Sequence, residues 1–485
     1  MVRKFLIAET VDFIPSSFFL RVLRVFAVRT SFFLLPSSFF LLPSSFCYMN
    51  RELLQNVRVL DPVSESDRIA DILIAEGNIK AVEEKIAEFP ADTEVRDCQG
   101  LILGPGLTDI YSHSGEPGFE DRETLESLMQ AAAAGGFTRL AILPDTSPPV
   151  DNLAGLALLQ QHIRNLSPGG PRLYFWGALT AGVKGQQMAE LGELVSSAVV
   201  GFADGLPLSN PALVRRLLEY IQPLGKSVAL WPCDRTLAGK GAAREGAVSV
   251  RLGLPGIPAS AETSALAALL ELVASAGTPV HIMRVSTARS VELIRDAKAR
   301  GLPVTASVTW MHLLLNVGAI SGNSKDSGGK NALTASLAYD PNLHLEPPLG
   351  NLSDQLALIQ AVKDGVIDAI AIDHNPHTYE EKTVAFADSP PGAIGLELAL
   401  PLLWHGLVET GEFSALELWR VLSVGPAVCL GQTSARVAPG VSAELILFDP
   451  DMSWTVDAHS LKSRSANTPW LGQQLAGKVV QTWIY

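Results

Sequence analysis

The chemistry open to this chain is most legible in Asp109-Ile110-Tyr111-Ser112-His113. Residues two apart on a strand point to one face, so Tyr111 and His113 share a side. Two imidazoles at that spacing can hold one metal ion, and such a metal can polarise a carbonyl and activate water. Here the first position is a tyrosine, which binds metal only as phenolate, a costly form near pH 7 from a starting pKa of about 10. Whether metal chemistry survives depends on what else reaches the same place.

The candidates follow from the order of elements. Apolar strand-like runs at 101–112, 138–144, 172–180, 197–204, 226–233, 279–286, 303–309 and 368–374 alternate with helical stretches. Arg122–Ala134, Glu262–Ala274, Ala288–Arg300 and Asp354–Asp364 carry apolar residues at helical spacing. This alternation predicts an α/β protein built as a (β/α)8 TIM-like barrel over 101–435, with its active site at the C-terminal strand ends. Those ends carry Tyr111 and His113, Asp145, Thr180, Asp204, Trp231, Arg284, Thr309 and Asp373. The flanks 49–100 and 436–485 read as short alternating strands, among them RVAPG, AELILFDP and KVVQTWIY. They predict a small β-sandwich domain assembled from both ends of the chain.

Residues 1–48 are of another kind. PSSFFLR at 15–21, RTSFFLL at 29–35 and PSSFFLL at 36–42 keep one seven-residue phase. Proline in that frame breaks a helix, and Pro36 and Pro43 interrupt the run of about 20 apolar residues that a membrane anchor requires. We read the segment as a low-complexity extension outside the fold, translated from repetitive DNA upstream of a start at Met49. A net charge of −13 and the lack of any basic stripe argue against nucleic acid and against an anionic membrane surface. Small molecules or proteins are the expected partners. Cys47, Cys98, Cys233 and Cys429 are scattered without CxxC spacing, which excludes a disulfide framework and a thiolate zinc site and fits a reducing cytoplasm.

Ordered segments along the chain carry a resemblance: LGPGLTDIYSH, GGFTRLAILPDTSPPVDN, GALTAGVKGQQMAELGEL, HIMRVSTARSVELIRDAKARGLPVTASVT, DHNPHTYEEK, GAIGLELALPLL, RVAPGVSAELILFDPD and SANTPWLGQQLAGKVV. Together they resemble the dihydroorotase branch of the amidohydrolase superfamily from Leu54 to Tyr485. The resemblance implies a metallo-dependent hydrolase barrel that opens a cyclic amide with zinc, run reversibly in pyrimidine biosynthesis to close carbamoyl aspartate into dihydroorotate. An aspartate at the end of strand 8 would move the proton.

Carried over residue by residue, the resemblance leaves only part of that site. In the family's DxHxH the first histidine position is Tyr111, and His113 is kept. Asp204 in GFADG matches an acidic ligand position of one branch. The histidine of HCED is Trp231, and that of HIxHVST is Arg284. Asp373 is kept. Three of four histidine positions are thus replaced, leaving His113, Asp204 and Asp373 as a remnant metal set in which Asp373 is a vestigial catalytic group. Tryptophan cannot ligate, and arginine places a permanent positive charge where a cation would sit.

The implied substrate pocket has changed as well. The arginine of HLREPG is Gly115, the amide of PNT is Asp145, and NPPLR reads Glu346-Pro347-Pro348-Leu349-Gly350. His377 is kept. Losing arginine clamps and gaining acids should repel carbamoyl aspartate.

We therefore expect no bound zinc, and expect Arg284 to reach Asp373, Asp204 or both in its place. A lone His113 reads as a structural histidine, Trp231 as filler, His374 as loop packing, and His281, His312 and His405 as structural. The leading expectation is a catalytically impaired dihydroorotase-like protein with a structural or regulatory role. It resembles inactive homologues that some bacteria assemble with aspartate carbamoyltransferase. Its expected partner is that enzyme, another enzyme of the pathway, or a second copy of itself. The alternatives are an active cyclic amidohydrolase with an atypical site, and a barrel that binds an unrelated small ligand.

Overall fold

The computed structural model of the chain describes residues 51–485 other than 165, 167, 168, 198 and 323–336. The extension expected at 1–48 and the start at Met49 lie outside the described residues.

The strands Leu107–Ser112, Phe137–Ile142, Arg172–Gly177, Val199–Ala203, Ser227–Leu230, Val280–Ile282, Val304–Thr309 and Ala369–Ala371 form one parallel sheet, each bonded to the next. The seam between the first and last of them is closed beyond the strand ends. His113 N–H donates to the His374 carbonyl at 2.9 Å, and the buried Asp109 carboxylate accepts Ile372 N–H at 2.8 Å and the Ser112 hydroxyl. Burial pushes the Asp109 carboxyl up to about 7 against the hydrogen bond from Ser112.

Helices cover the outside. Leu125–Ala134 starts at Thr124, whose hydroxyl accepts Ser127 N–H at 3.1 Å, and buries Leu125, Leu128, Ala131 and Ala132. Ser260–Ala276, Ala288–Ala299 and Leu352–Lys363 lie within two residues of their expected bounds.

The mainly-sheet domain draws strands from both chain ends. Glu52–Asp61, Ser66–Ala75, Asn78–Glu83, Glu94–Asp97 and Ile102–Pro105 join Leu445–Thr455 and Gln474–Trp483. Leu54, Val57, Ile72, Leu103, Leu445 and Trp483 fill its core. Two expectations are corrected here. The run 101–112 is two strands, because Ile102–Pro105 pairs with Glu52–Asp61 and Leu445–Thr455 while Leu107–Ser112 opens the barrel, so the boundary falls at Gly106 rather than Gly100. RVAPG is not a strand. It passes as a loop toward Gly440 and Val441, which bond to Ile79.

A buried carboxylate fastens this sheet to the barrel. Glu444, just before Leu445, accepts Arg139 through Nε at 2.6 Å and Nη2 at 2.7 Å, Thr138 Oγ1 at 2.7 Å, and Arg172 at 3.1 Å.

Candidate functional site

The C-terminal strand ends open on a cavity of about 230 Å3 whose walls include His113, Asp145, Trp231, Arg284, Glu346, Asp373 and His377. Arg284 lies at its centre. It follows the Val280–Ile282 strand in a left-handed conformation, φ 55°, a region uncommon for any residue but glycine. Downstream, the Glu262 carboxylate accepts Ser286 N–H at 3.0 Å and Thr287 N–H at 3.2 Å, and Thr287 caps the Ala288–Ala299 helix. The loop is thereby pinned two residues beyond the arginine, which directs the side chain across the barrel mouth.

There the guanidinium meets Asp373, Nε at 2.7 Å from Oδ2 and Nη2 at 2.6 Å from Oδ1, while Nη1 donates to the Gly205 carbonyl at 2.8 Å. The Trp231 and Tyr111 rings lie 5.0 and 5.5 Å from it. Only 5% of the Arg284 side chain and 14% of Asp373 reach solvent, so this is a buried bidentate pair. Burial alone would raise the Asp373 carboxyl, but the Arg284 charge and the hydrogen bonds to it hold it far below the usual carboxylate range. Asp373 is itself left-handed, φ 52°.

His113 sits between two acids. Nδ1 is 2.5 Å from Asp145 Oδ2 and Nε2 is 3.6 Å from Asp373 Oδ1. Burial works against charging the imidazole, yet these carboxylates outweigh it and lift it to about 9. Arg284 Nη2 also stands 3.2 Å from Nε2, a contact that would be a hydrogen bond only to the neutral ring. The Asp145 contact serves either form, since Nδ1–H donates in both; the two carboxylates favour the imidazolium, and the Arg284 contact favours the neutral ring.

Tyr111 is fully buried, its hydroxyl 2.9 Å from Ser307 Oγ and accepting Arg284 N–H at 3.2 Å. Burial and then the Asp373 charge push its phenol up, away from the phenolate a metal would need. Trp231 fills the neighbouring volume with its ring between two guanidiniums, those of Arg284 and Arg235, each at 5.0 Å.

Several expected positions lie elsewhere. Asp204 does not meet Arg284. Its carboxylate accepts Leu179 N–H at 2.8 Å, Thr180 N–H at 3.0 Å and Thr180 Oγ1 at 2.5 Å, so it ties two strand ends together outside the cavity. Gly115 and Gly350 do not line the cavity either. A methyl group added at Gly115 would lie 2.6 Å from the Phe119 carbonyl oxygen and closer still to that of Glu123, and at Gly350 it would lie 2.6 Å from Asp354 Cβ. At both positions the surrounding backbone and side chains leave no room for a side chain. Asp145, Glu346 and His377 do line the cavity. Glu346 is clamped by Arg235 at 2.7 and 3.0 Å, and burial lowers the His377 imidazole to about 4.

Of the other histidines, His281 bridges Thr305 Oγ1 at 2.9 Å and Ser307 Oγ at 2.8 Å and His374 faces Glu123 at 3.3 Å, whereas His312 lines the cavity with Nδ1 2.6 Å from Thr309 Oγ1. Arg122 and Asn375 also border the cavity. Arg122 comes from a loop without a motif, whereas Asn375 lies inside DHNPH, two residues past Asp373, and that position could have flagged it.

Zinc, the metal implied by the resemblance, does not fit these residues. Among the described residues no three His, Cys, Asp or Glu side chains gather as a metal would require. The acids that remain are engaged by a guanidinium or by backbone N–H groups, and a fixed cation at the centre opposes a second one.

A model of the dihydro-orotase-like family matches residues 100–290, and one of the amidohydrolase family matches 239–485. The chain is 45% identical over 451 residues to a "Probable dihydroorotase-like protein" from Synechocystis sp., covering 89% of this chain and 99% of that one. It is 39% identical over 426 residues to a dihydroorotase from Pelotomaculum thermopropionicum, covering 88% and 95%. Among solved structures, an L-hydantoinase (dihydropyrimidinase) from Arthrobacter aurescens superposes with a TM-score of 0.76 at 21% identity, over 90% of this chain and 95% of that one. At that identity the likeness shows the fold.

Proposed function

The chain belongs to the dihydroorotase-like amidohydrolases, and from that premise we propose that it has given up cyclic-amide hydrolysis and serves pyrimidine biosynthesis in a structural or regulatory capacity. One observation carries this reading: the Arg284 guanidinium is bonded through two nitrogens to Asp373. A carboxylate that works as a general base must take up a proton near the operating pH. Asp373, ion-paired and held far below the usual range, is a poor base. The cation beside it belongs to the chain and offers no open coordination position for water.

Similarity to relatives named dihydroorotase supports the pathway, and the lack of room for a side chain at Gly115 and Gly350 supports loss of the anionic substrate. The role we assign is that of a partner for aspartate carbamoyltransferase or another enzyme of the pathway, in the cytoplasm. Among the described residues no helix is long and apolar enough to cross a membrane.

The test uses the chain beginning at Met49. Its zinc content is measured together with ring opening of dihydroorotate and ring closure of carbamoyl aspartate, and the chain is then run through gel filtration with aspartate carbamoyltransferase from the same organism. Neither zinc nor turnover, with co-elution, is the expected result. Stoichiometric zinc with turnover would overturn the reading in favour of an active amidohydrolase.

A further inference from the structure

Arg244, on the short strand Ala243–Arg244, is a buried guanidinium without a counter-ion. The residue is 2% exposed, and its hydrogen bonds all leave from Nη2, to Ser286 Oγ at 2.6 Å and the Pro348 carbonyl at 3.5 Å. Both acceptors are neutral, and Nε has no partner. The acids of this region are engaged elsewhere. Glu346 is clamped by Arg235, and Glu262 accepts the N–H groups and the hydroxyls of Ser286 and Thr287. Arginine keeps its proton, and a buried charge with no opposite charge beside it is costly.

Arg244 borders a cavity of about 20 Å3 together with Trp231, Cys233, Arg235, Glu262 and Glu346. One water needs roughly 10–15 Å3 of such space, so the cavity admits a single small particle and no organic molecule. Trp231 and Glu346 also line the barrel mouth, and they form the wall between the two spaces. The Ser286 hydroxyl stands between Glu262 and Arg244, donating to the first and accepting from the second. With both acids already supplied with donors, the Arg244 edge is the uncompensated charge on this wall.

We propose that this cavity is a binding site for one compact monovalent anion, a halide such as chloride, seated against Arg244 Nε. Nε is itself buried, so a small shift of the side chain brings it to the ion. The ion supplies the missing opposite charge, and through Nη2 and Ser286 it steadies the loop that carries Arg284. The inference is independent of whether the chain opens a cyclic amide.

The test measures urea unfolding of the full chain in sodium chloride, sodium bromide, sodium sulfate and sodium gluconate at one ionic strength and pH 7. For a site with a Kd of about 10 mM, replacing gluconate by about 100 mM chloride lowers the unfolding constant roughly tenfold. Bromide should act as chloride does, and sulfate, larger and doubly charged, should act as gluconate does. Arg244→Met and Arg244→Gln should each abolish the difference between chloride and gluconate. Should neither variant fold, crystals of the parent grown in bromide decide, with an anomalous peak expected in contact with the Arg244 guanidinium. A parent equally stable in chloride and gluconate overturns the inference, as does a chloride effect that sulfate reproduces or that either variant keeps. A bromide derivative with no peak in this cavity overturns it whatever the variants do.

Discussion

Breaking the Arg284–Asp373 pair from either side should destabilise the chain far more than removing both halves. Taking one charge from a buried pair strands the other, at about 3–5 kcal/mol, whereas replacing both is often close to neutral. The surroundings decide where each variant falls. In Asp373→Asn the guanidinium keeps the Gly205 carbonyl at 2.8 Å and the faces of Trp231 and Tyr111, which sets the loss near the lower end, about 3 kcal/mol. In Arg284→Met the Asp373 carboxylate loses both hydrogen bonds and keeps only His113, 3.6 Å away and already committed to Asp145, so the loss is nearer about 4 kcal/mol. The double variant Arg284→Met/Asp373→Asn leaves no stranded charge and should lie within about 1 kcal/mol of the parent. Its loss would then fall short of the summed single losses by about 6 kcal/mol, a strong coupling. Urea unfolding of the chain from Met49, followed by tryptophan fluorescence at pH 7 and extrapolated to water, measures all four corners of the cycle. Single losses below about 1 kcal/mol, or losses that simply add, would refute the description of a desolvated, mutually dependent pair.

His113 has a folded pKa near 9 against about 6.5 unfolded, so its contribution is complete below the unfolded value and is lost as pH rises through 9. Parent stability should therefore fall between pH 7 and 9.5 with a slope that His113→Asn flattens, and parallel curves would sink the assignment. Asp373 has the opposite sign. Its depressed pKa gives stability that is present above about pH 4 and lost as pH falls further, an acid-side loss that Asp373→Asn should reduce. Glu444→Ala strands the buried Arg139, which keeps only the Thr433 carbonyl and Gln432, and should cost about 3 kcal/mol. Hydrogen exchange would show that loss first in the Leu445–Thr455 strand. Gly115→Arg, which puts back the side chain of the family motif, should lower stability without conferring dihydroorotate binding, because its Cβ collides with the Phe119 and Glu123 carbonyls. A gain of binding measured by calorimetry would show that the loop opens.

The order of strands, the composite sheet and the strand-end positions of Tyr111, His113, Arg284 and Asp373 were legible because apolar runs and helical spacing fix which residues reach the mouth. The errors share a physical origin. Reading LILGPGLTDIYS as one run passes over Gly104-Pro105-Gly106, a turn signal at the step from one sheet to the other, where a Cβ at Gly106 would collide with Thr138. An aspartate at a strand end looks the same whether it faces the barrel axis or accepts the backbone of the neighbouring strand, so Asp204 was read into the site. Gly115 and Gly350 show what is missing from a motif but not that their surroundings leave no room for a side chain. The rim residue Arg122 depends on loop packing over long separations, which one-dimensional spacing does not encode.

A central cation that is part of the polypeptide cannot dissociate. The barrel mouth thus acquires its positive charge as soon as the chain is translated, in one copy per molecule, whatever metals the cell holds. On the metal-free reading proposed above, zinc starvation or a chelator that would empty a metal-dependent barrel should leave the fold and abundance of this one unchanged.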